Sequence, residues 1–172
     1  MNFLTLLAIV LPAIIVTLTA YYLLKKLLDS QERKQIINHK TESVKEILPL
    51  RLQAFERIIL MLERMRPGSI VFRVNHENMD ATHFQGKLLE NIRDEFEHNL
   101  SQQVYVSPES WQKVVIAREE TVKLINNAAS ELKPEATGNE MAQSIFSKTA
   151  EKGTPAIEEA RQILKKEVQQ LF

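Results

Sequence analysis

The chain has 172 residues, of which 44% are hydrophobic and 26% are charged, and its 22 lysines and arginines balance 22 aspartates and glutamates. This length suits a single domain with an additional segment, and the charge balance excludes a strongly basic or acidic protein. Cysteine is absent, which excludes disulfides, thiolate nucleophiles and cysteine-bound metals.

The first element is an uncharged run of 22 residues, Phe3 to Leu24. At a rise of 1.5 Å per residue, a helix of this length extends about 33 Å, enough to cross a hydrocarbon core of about 30 Å. Tyr21 and Tyr22 occur where aromatic rings favour the headgroup region, and Lys25 and Lys26 follow directly. The run therefore predicts a transmembrane helix over residues 3–24.

A cleaved signal peptide is the competing interpretation of this run. It is disfavoured because no basic stretch precedes the run, the apolar part is long, and no pattern of small residues marks a cleavage site. No lysine or arginine precedes the run, whereas five occur in residues 25–40. The positive-inside rule therefore predicts an N-terminus outside the membrane and the remainder of the chain in the cytoplasm.

Residues 25–48 predict a basic juxtamembrane helical stalk. Residues 25–66 carry ten lysines and arginines against six acidic residues, which favours contact with anionic lipid or, equally, an ordinary solvated helix face. The apolar repeat of the stalk is too polar to predict a stable coiled coil, which leaves self-association through this segment open.

Helical periodicity continues through residues 49–172. Pro49 either opens a new helix or kinks a continuous one, and the helix that follows ends at Arg66, before a Pro-Gly pair. Its predicted apolar face consists of Leu52, Phe55, Ile59 and Leu62. Residues 69–78 have strand-like side chains but too few neighbours to build a sheet, so a short helix capped by Ser69 is favoured over a strand.

Two longer helices begin at strong capping signals. Asp80 predicts the cap of a helix that runs to about Gln103, and Ser107 followed by Pro108 predicts the start of the next. The second of these helices carries two adjacent apolar stripes, and so wide a face predicts contact with two neighbours and a central position in a bundle. The stripes are Trp111, Val115, Arg118, Val122, Ile125, Ala129 and Leu132, and Val114, Ala117, Thr121, Leu124 and Ala128.

The last two helices are also delimited by local signals. Thr137 and Glu140 have the spacing of a capping box, which predicts a short helix with Met141, Ile145 and Phe146. Gly153, Thr154 and Pro155 then end this helix and begin the last one. The inward residues predicted for the last helix are Ile157, Leu164, Val168 and Leu171.

Two strings carry a resemblance to a known family: LRLQAFERIILMLER at residues 50–64 and EFEHNLSQQVYVS at residues 95–107, with Trp111 just beyond. They resemble an uncharacterised family of short bacterial proteins that pair an N-terminal transmembrane helix with a helical domain. The resemblance extends over most of the chain. It implies a bacterial inner-membrane location and implies no activity, cofactor or catalytic residue.

The second string contains candidate partner-binding residues. If Phe96 marks the centre of the buried face, Glu95 and His98 lie about 100° and 160° away and point toward solvent or a partner. One hypothesis makes Glu95, His98 and Gln102 a recognition surface, and the favoured alternative leaves them on a solvated face. Glu95 and His98 also have the i, i+3 spacing of ligands in helical-bundle metal sites, but no second such pair occurs on another helix, so a metal site is not predicted.

Three polar residues fall at apolar positions of the predicted helices. Asn99 and Gln103 lie about 60° and 20° from Phe96, where hydrogen bonds that fix packing are favoured over a role in recognition. Arg118 lies between Val115 and Val122 in its stripe. It could pair with a buried carboxylate or receive an acidic group of a partner, but the commonest arrangement lays the stem on apolar surface and the head in water.

No motif indicates nucleotide binding, a nucleophile elbow or a nucleic-acid interface, and no cofactor is predicted. The sequence predicts an all-α protein with a transmembrane helix (3–24), a helical stalk (25–48) and a small antiparallel bundle (49–172). Its predicted function is noncatalytic protein binding or scaffolding at the lipid bilayer, with a protein partner or a second copy of the chain. The alternative is a helical-bundle enzyme or metal-binding protein that uses Glu95 and His98.

Overall fold

The computed structural model describes residues 17–26, 46–74 and 79–171. The chain divides into two compact units, residues 1–47 and residues 48–172. The described residues form helices and short connections, with no β-strand among them. The prediction of an all-α protein is therefore confirmed.

Within the first unit, residues 17–26 are helical and exposed. They include the predicted interface residues Tyr21, Tyr22, Lys25 and Lys26. Considering the described residues alone, no helix is long and apolar enough to span a membrane. Residues 3–16 of the predicted span and residues 27–45 of the predicted stalk lie outside the described residues, so the transmembrane helix and the stalk remain predictions.

Helix α1 comprises residues 46–65, and a short helix α2, Pro67–Arg73, follows it. Pro49 lies within α1, with helical residues on both sides, so the alternative in which it opens a helix is wrong. The helical alternative is right for residues 69–73, whereas residues 75–78 of the same segment lie outside the described residues. The predicted cap at Ser69 is wrong, because α2 already begins at Pro67, and its N-cap residue Arg66 makes no side-chain capping hydrogen bond.

Helix α3, Ala81–Asn99, begins as predicted, with the Asp80 carboxylate accepting a hydrogen bond from the His83 N–H at 2.7 Å. The chain then tightens into a 3₁₀ helix, Leu100–Tyr105, so the predicted extension of α3 to Gln103 is wrong. A 3₁₀ helix turns about 120° per residue instead of about 100°. The apolar stripe of α3 therefore does not continue beyond its last turn.

Helix α4, Pro108–Ser130, begins where Ser107 Oγ accepts a hydrogen bond from Ser110 N at 3.2 Å. It packs against α3, α5 and α6, which confirms the predicted central position. The second of its two predicted stripes is the more deeply buried. The buried residues of α4 are Ser110, Val114, Ala117, Thr121, Ile125 and Ala128.

Helices α5, Gly138–Lys152, and α6, Pro155–Gln169, complete the second unit. The predicted capping box at the start of α5 is present: the Glu140 carboxylate accepts the Thr137 N–H at 2.7 Å, and Thr137 Oγ accepts the Glu140 N–H at 3.3 Å. The hydrogen bond from the Thr137 N–H lowers the pKa of the Glu140 carboxyl. Gly153 ends α5 with a φ of 68°.

Long-range contacts give the directions of the helices. Arg51 near the start of α1 pairs with Glu167 near the end of α6, whereas Glu63 near the end of α1 pairs with Arg161 in the first half of α6. These helices are therefore antiparallel, and similar contacts make α1 antiparallel to α3, α3 to α4 and α4 to α6. The four helices form an antiparallel bundle, and α5 packs on α2, α3 and α4. The fully buried side chains of the second unit include Ile58, Leu62, Phe84, Leu88, Ile125, Ile145 and Leu164.

Candidate functional site

Glu95 and His98 lie near the end of α3 but occupy different environments. The Glu95 side chain is 14% exposed, and its Oε2 lies 3.1 Å from Arg64 Nε on α1, whereas His98 is exposed. The expectation that Glu95 points toward solvent is therefore wrong. On the helix, Glu95 lies only about 60° from the buried Ile92, and its carboxylate faces Arg64 of α1.

A metal centre at this pair lacks the other ligands that it needs. Within the described part of the chain, no three histidine, aspartate or glutamate side chains converge as potential ligands. Shifted pKa values occur at surface pairs instead, where the hydrogen bond from Lys87 lowers the pKa of Glu90 and raises that of Lys87. Both groups are exposed, so the shifts reflect a local hydrogen bond and do not mark a catalytic cleft.

The two amides that were predicted inside the apolar stripe differ in burial. Asn99 is 5% exposed and donates a hydrogen bond from Nδ2 to the Glu95 carbonyl oxygen at 2.8 Å, as a residue that fixes packing would. Gln103 is exposed, so its predicted burial is wrong. The 3₁₀ turn is the cause, because it rotates Gln103 away from the direction that an α-helix would have given it.

Gln102 is half-buried and lines a groove between α1 and the 3₁₀ helix, with a volume of about 420 Å³. We call this the α1–3₁₀ groove; it is lined by Leu50, Gln53, Arg57, Ser101, Gln102, Val104 and Tyr105. Val104 is 79% exposed and Leu50 is 49% exposed. The groove thus combines exposed aliphatic side chains with amides and a guanidinium group.

Arg118 lies on the other side of α3, where α3 faces α4. Its Cζ atom is 4.6 Å from the centroid of the Phe96 ring, and the centroid of the Trp111 ring is 5.5 Å from that of Phe96. Arg118 is half-buried and makes no ion pair with any described residue. Stacking of the guanidinium group on an aromatic ring was not among the arrangements that the sequence left open, and a buried carboxylate partner is absent from the described residues.

A polar network around Glu167 was not predicted. The Glu167 carboxylate accepts hydrogen bonds from the Ser107 N–H at 2.8 Å, from the Ser107 and Ser110 hydroxyls, and from Arg51 Nη2 at 3.2 Å. Its negative charge therefore lies at the N-terminus of α4, where the helix dipole favours it. The same hydrogen bonds connect α1 and α6 to the start of α4. In the sequence, only the capping serine indicated hydrogen bonding at this position, because Glu167 lies 60 residues away from Ser107.

A second cavity, of about 240 Å³, lies where α5 ends and α6 begins beside α4. It is lined in part by Lys123, Lys148 and Lys152. Lys123 lies 3.4 Å from Glu120, and Lys148 lies 2.5 Å from Glu131, so carboxylates of the same surface already pair with two of the three ammonium groups. The cavity therefore provides little net positive charge for a ligand.

Comparison with known proteins identifies a family but indicates no activity. No curated protein and no solved structure matches the chain. A family model described as a family of unknown function (DUF7935) matches residues 1–171, nearly the whole sequence, in agreement with the resemblance to an uncharacterised family. The chain, with its antiparallel helical domain, therefore belongs to the family of unknown function DUF7935.

Proposed function

We propose that this protein is a single-pass membrane protein whose helical domain, residues 49–172, binds another protein without catalysing a reaction. The uncharged run of 22 residues at the N-terminus and the lysines directly after it support the membrane anchor. The basic residues that follow the run favour a domain in the cytoplasm and an N-terminus outside, and the family resemblance favours the bacterial inner membrane.

The α1–3₁₀ groove is the observation that carries the binding function. Single exposed aliphatic residues are normal on a protein surface, but Val104 and Leu50 line the same groove and are 79% and 49% exposed. Burial of apolar side chains gives about 25 cal/mol for each Å² removed from water, so covering both would favour association. Gln102 and Arg57 supply hydrogen-bond donors at the edge of this apolar surface.

The alternative of an enzyme or metal-binding protein receives no such support. The Glu95 carboxylate pairs with Arg64, and His98 is exposed and belongs to no group of three potential metal ligands among the described residues. Self-association through the predicted stalk remains open as a second way of assembling at the membrane.

The proposal is tested by photo-crosslinking of the full-length protein in native membranes. A photoreactive residue at position 102, in the α1–3₁₀ groove, is expected to capture a defined protein. The same residue in place of Gln143, which is exposed on α5, is the matched control and is expected to capture none of it.

A substitution in the groove distinguishes specific binding of the captured protein from crosslinking by chance proximity. Val104→Asp places a charge on the apolar surface and should weaken capture about tenfold, the equivalent of about 1.4 kcal/mol, whereas Val104→Leu should retain it. Capture that is absent at position 102, or that is equal at positions 102 and 143, would contradict a binding role for this groove.

A further inference from the structure

Arg118 differs from the other partly buried arginines of the helical domain. Arg51, Arg66 and Arg161 each lie within 4 Å of a glutamate. Arg118 is also half-buried, yet none of the described carboxylates pairs with it. Its guanidinium group instead makes a cation–π contact with the Phe96 ring, whose centroid is 4.6 Å away. A guanidinium group has five N–H donors in a planar fork, so those of Arg118 remain available to an acceptor from outside the chain.

The helical neighbours of Arg118 help to explain why none of the described carboxylates reaches it. Residues three and four positions away on a helix are the neighbours of a side chain. For Arg118 on α4 these are Val114, Val115, Thr121 and Val122. The corresponding neighbours of Phe96 on α3 are Ile92, Arg93, Asn99 and Leu100. None of these eight residues is acidic.

The aromatic rings beside Arg118 restrict the conformation of its side chain before an acceptor binds. Phe96 is only 7% exposed and contacts both Arg118 and Trp111, so the guanidinium group rests on a packed surface. Stacking of this kind limits the rotamers of the arginine before binding and so lowers the entropy that binding must overcome. The half-buried Trp111 ring makes no hydrogen bond with a described residue, which leaves its indole N–H as a second donor. Tryptophan and arginine are also the residues most enriched at binding hot spots.

We infer that Phe96, Trp111 and Arg118, here called the Arg118 surface, bind an aspartate or glutamate side chain of the partner protein. Charge complementarity selects this occupant: the surface presents the positive charge of Arg118, and a carboxylate can accept two parallel hydrogen bonds from one guanidinium group. The inference rests on the proposed binding function and names the chemistry that the partner must supply.

The test places a photoreactive residue at position 112, exposed and next to Trp111, in the full-length protein in native membranes. We expect capture of a protein segment that contains an aspartate or glutamate. Arg118→Gln should reduce capture at least tenfold, and Arg118→Lys should retain part of it, because an ammonium group keeps the charge but lacks the planar fork. Arg73→Gln, at an exposed arginine on α2, is the matched control and should leave capture unchanged. Equal melting temperatures of the variants would show that folding is not the cause.

Exchange of the charges gives the decisive result. Arg118→Glu should abolish capture, and replacement of the carboxylate in the captured segment by lysine should restore it. A captured segment without a carboxylate, a second copy of this chain as the product, or capture that is unaffected by Arg118→Gln would overturn the inference. Capture at position 102 without capture at position 112 would overturn this inference alone, whereas absence of capture at both positions would overturn the proposed function as well.

Discussion

At the scale of single residues, Glu167 connects the most distant parts of the sequence. Its side chain is 13% exposed and accepts hydrogen bonds from Ser107, Ser110 and Arg51. Ser110 is fully buried, so its hydroxyl would lose its acceptor if the carboxylate were removed. An unsatisfied buried donor costs more than the net energy of the hydrogen bond itself.

We therefore expect Glu167→Ala to lower the free energy of unfolding by about 2–4 kcal/mol. Glu167→Gln keeps one acceptor oxygen but loses the charge, and should have about half this effect. Urea unfolding of the full-length protein in detergent, followed by circular dichroism, measures both. Glu119→Ala, at an exposed position of α4, is the control and should change stability by less than about 0.5 kcal/mol. A loss for Glu167→Ala no larger than that of the control would show that the network contributes no stability.

At the scale of helices, two glycines without close neighbours have opposite roles. A Cβ atom at Gly86 or Gly153 would meet no heavy atom within 4 Å, so packing does not distinguish them. Gly86 lies in the interior of α3, where glycine lowers helix stability. Gly153 ends α5 with φ 68° and ψ −161°, a conformation that residues with a side chain rarely adopt.

We expect Gly86→Ala to raise the free energy of unfolding by about 0.5–1 kcal/mol and Gly153→Ala to lower it by about 1–3 kcal/mol. Each substitution adds the same methyl group to open space, so each is the control for the other. Chemical denaturation measures the two changes. Effects of the same sign would mean that the backbone conformation at the α5–α6 connection does not determine the cost.

At the scale of the whole molecule, the helical domain has its own hydrophobic core. Residues 48–172 form a compact unit whose core draws on α1 to α6. Attachment to the membrane is expected to depend on the apolar run alone.

We expect the full-length protein to stay in the membrane fraction after a wash with molar salt, because salt screens charges but does not weaken apolar burial in lipid. A variant without residues 1–24 should be soluble. Replacement of Lys25 and Lys26 by glutamine should leave the protein in the membrane fraction. Fractionation followed by immunoblotting measures all three. Release of the full-length protein by salt would show that electrostatic attraction to lipid, and not insertion, holds it there.

The sequence by itself determined the helical class and the starts of α3 to α6. The caps at Asp80 and Ser107 and the capping box of Thr137 with Glu140 were predictable, because a cap depends on residues three positions apart. The central position of α4 was also predictable, since the width of an apolar face is a property of one helix.

Tertiary structure alone decided which polar side chains remain free. The sequence shows the i, i+3 spacing of Glu95 and His98, but only the packing of α1 on α3 places Arg64 beside Glu95. It shows a charge in the stripe of α4, but only the packing of α4 on α3 places Arg118 over Phe96 without a carboxylate. Local spacing fixes backbone hydrogen bonds within a helix, whereas the partner of a long side chain depends on residues that are distant in sequence and adjacent only after folding.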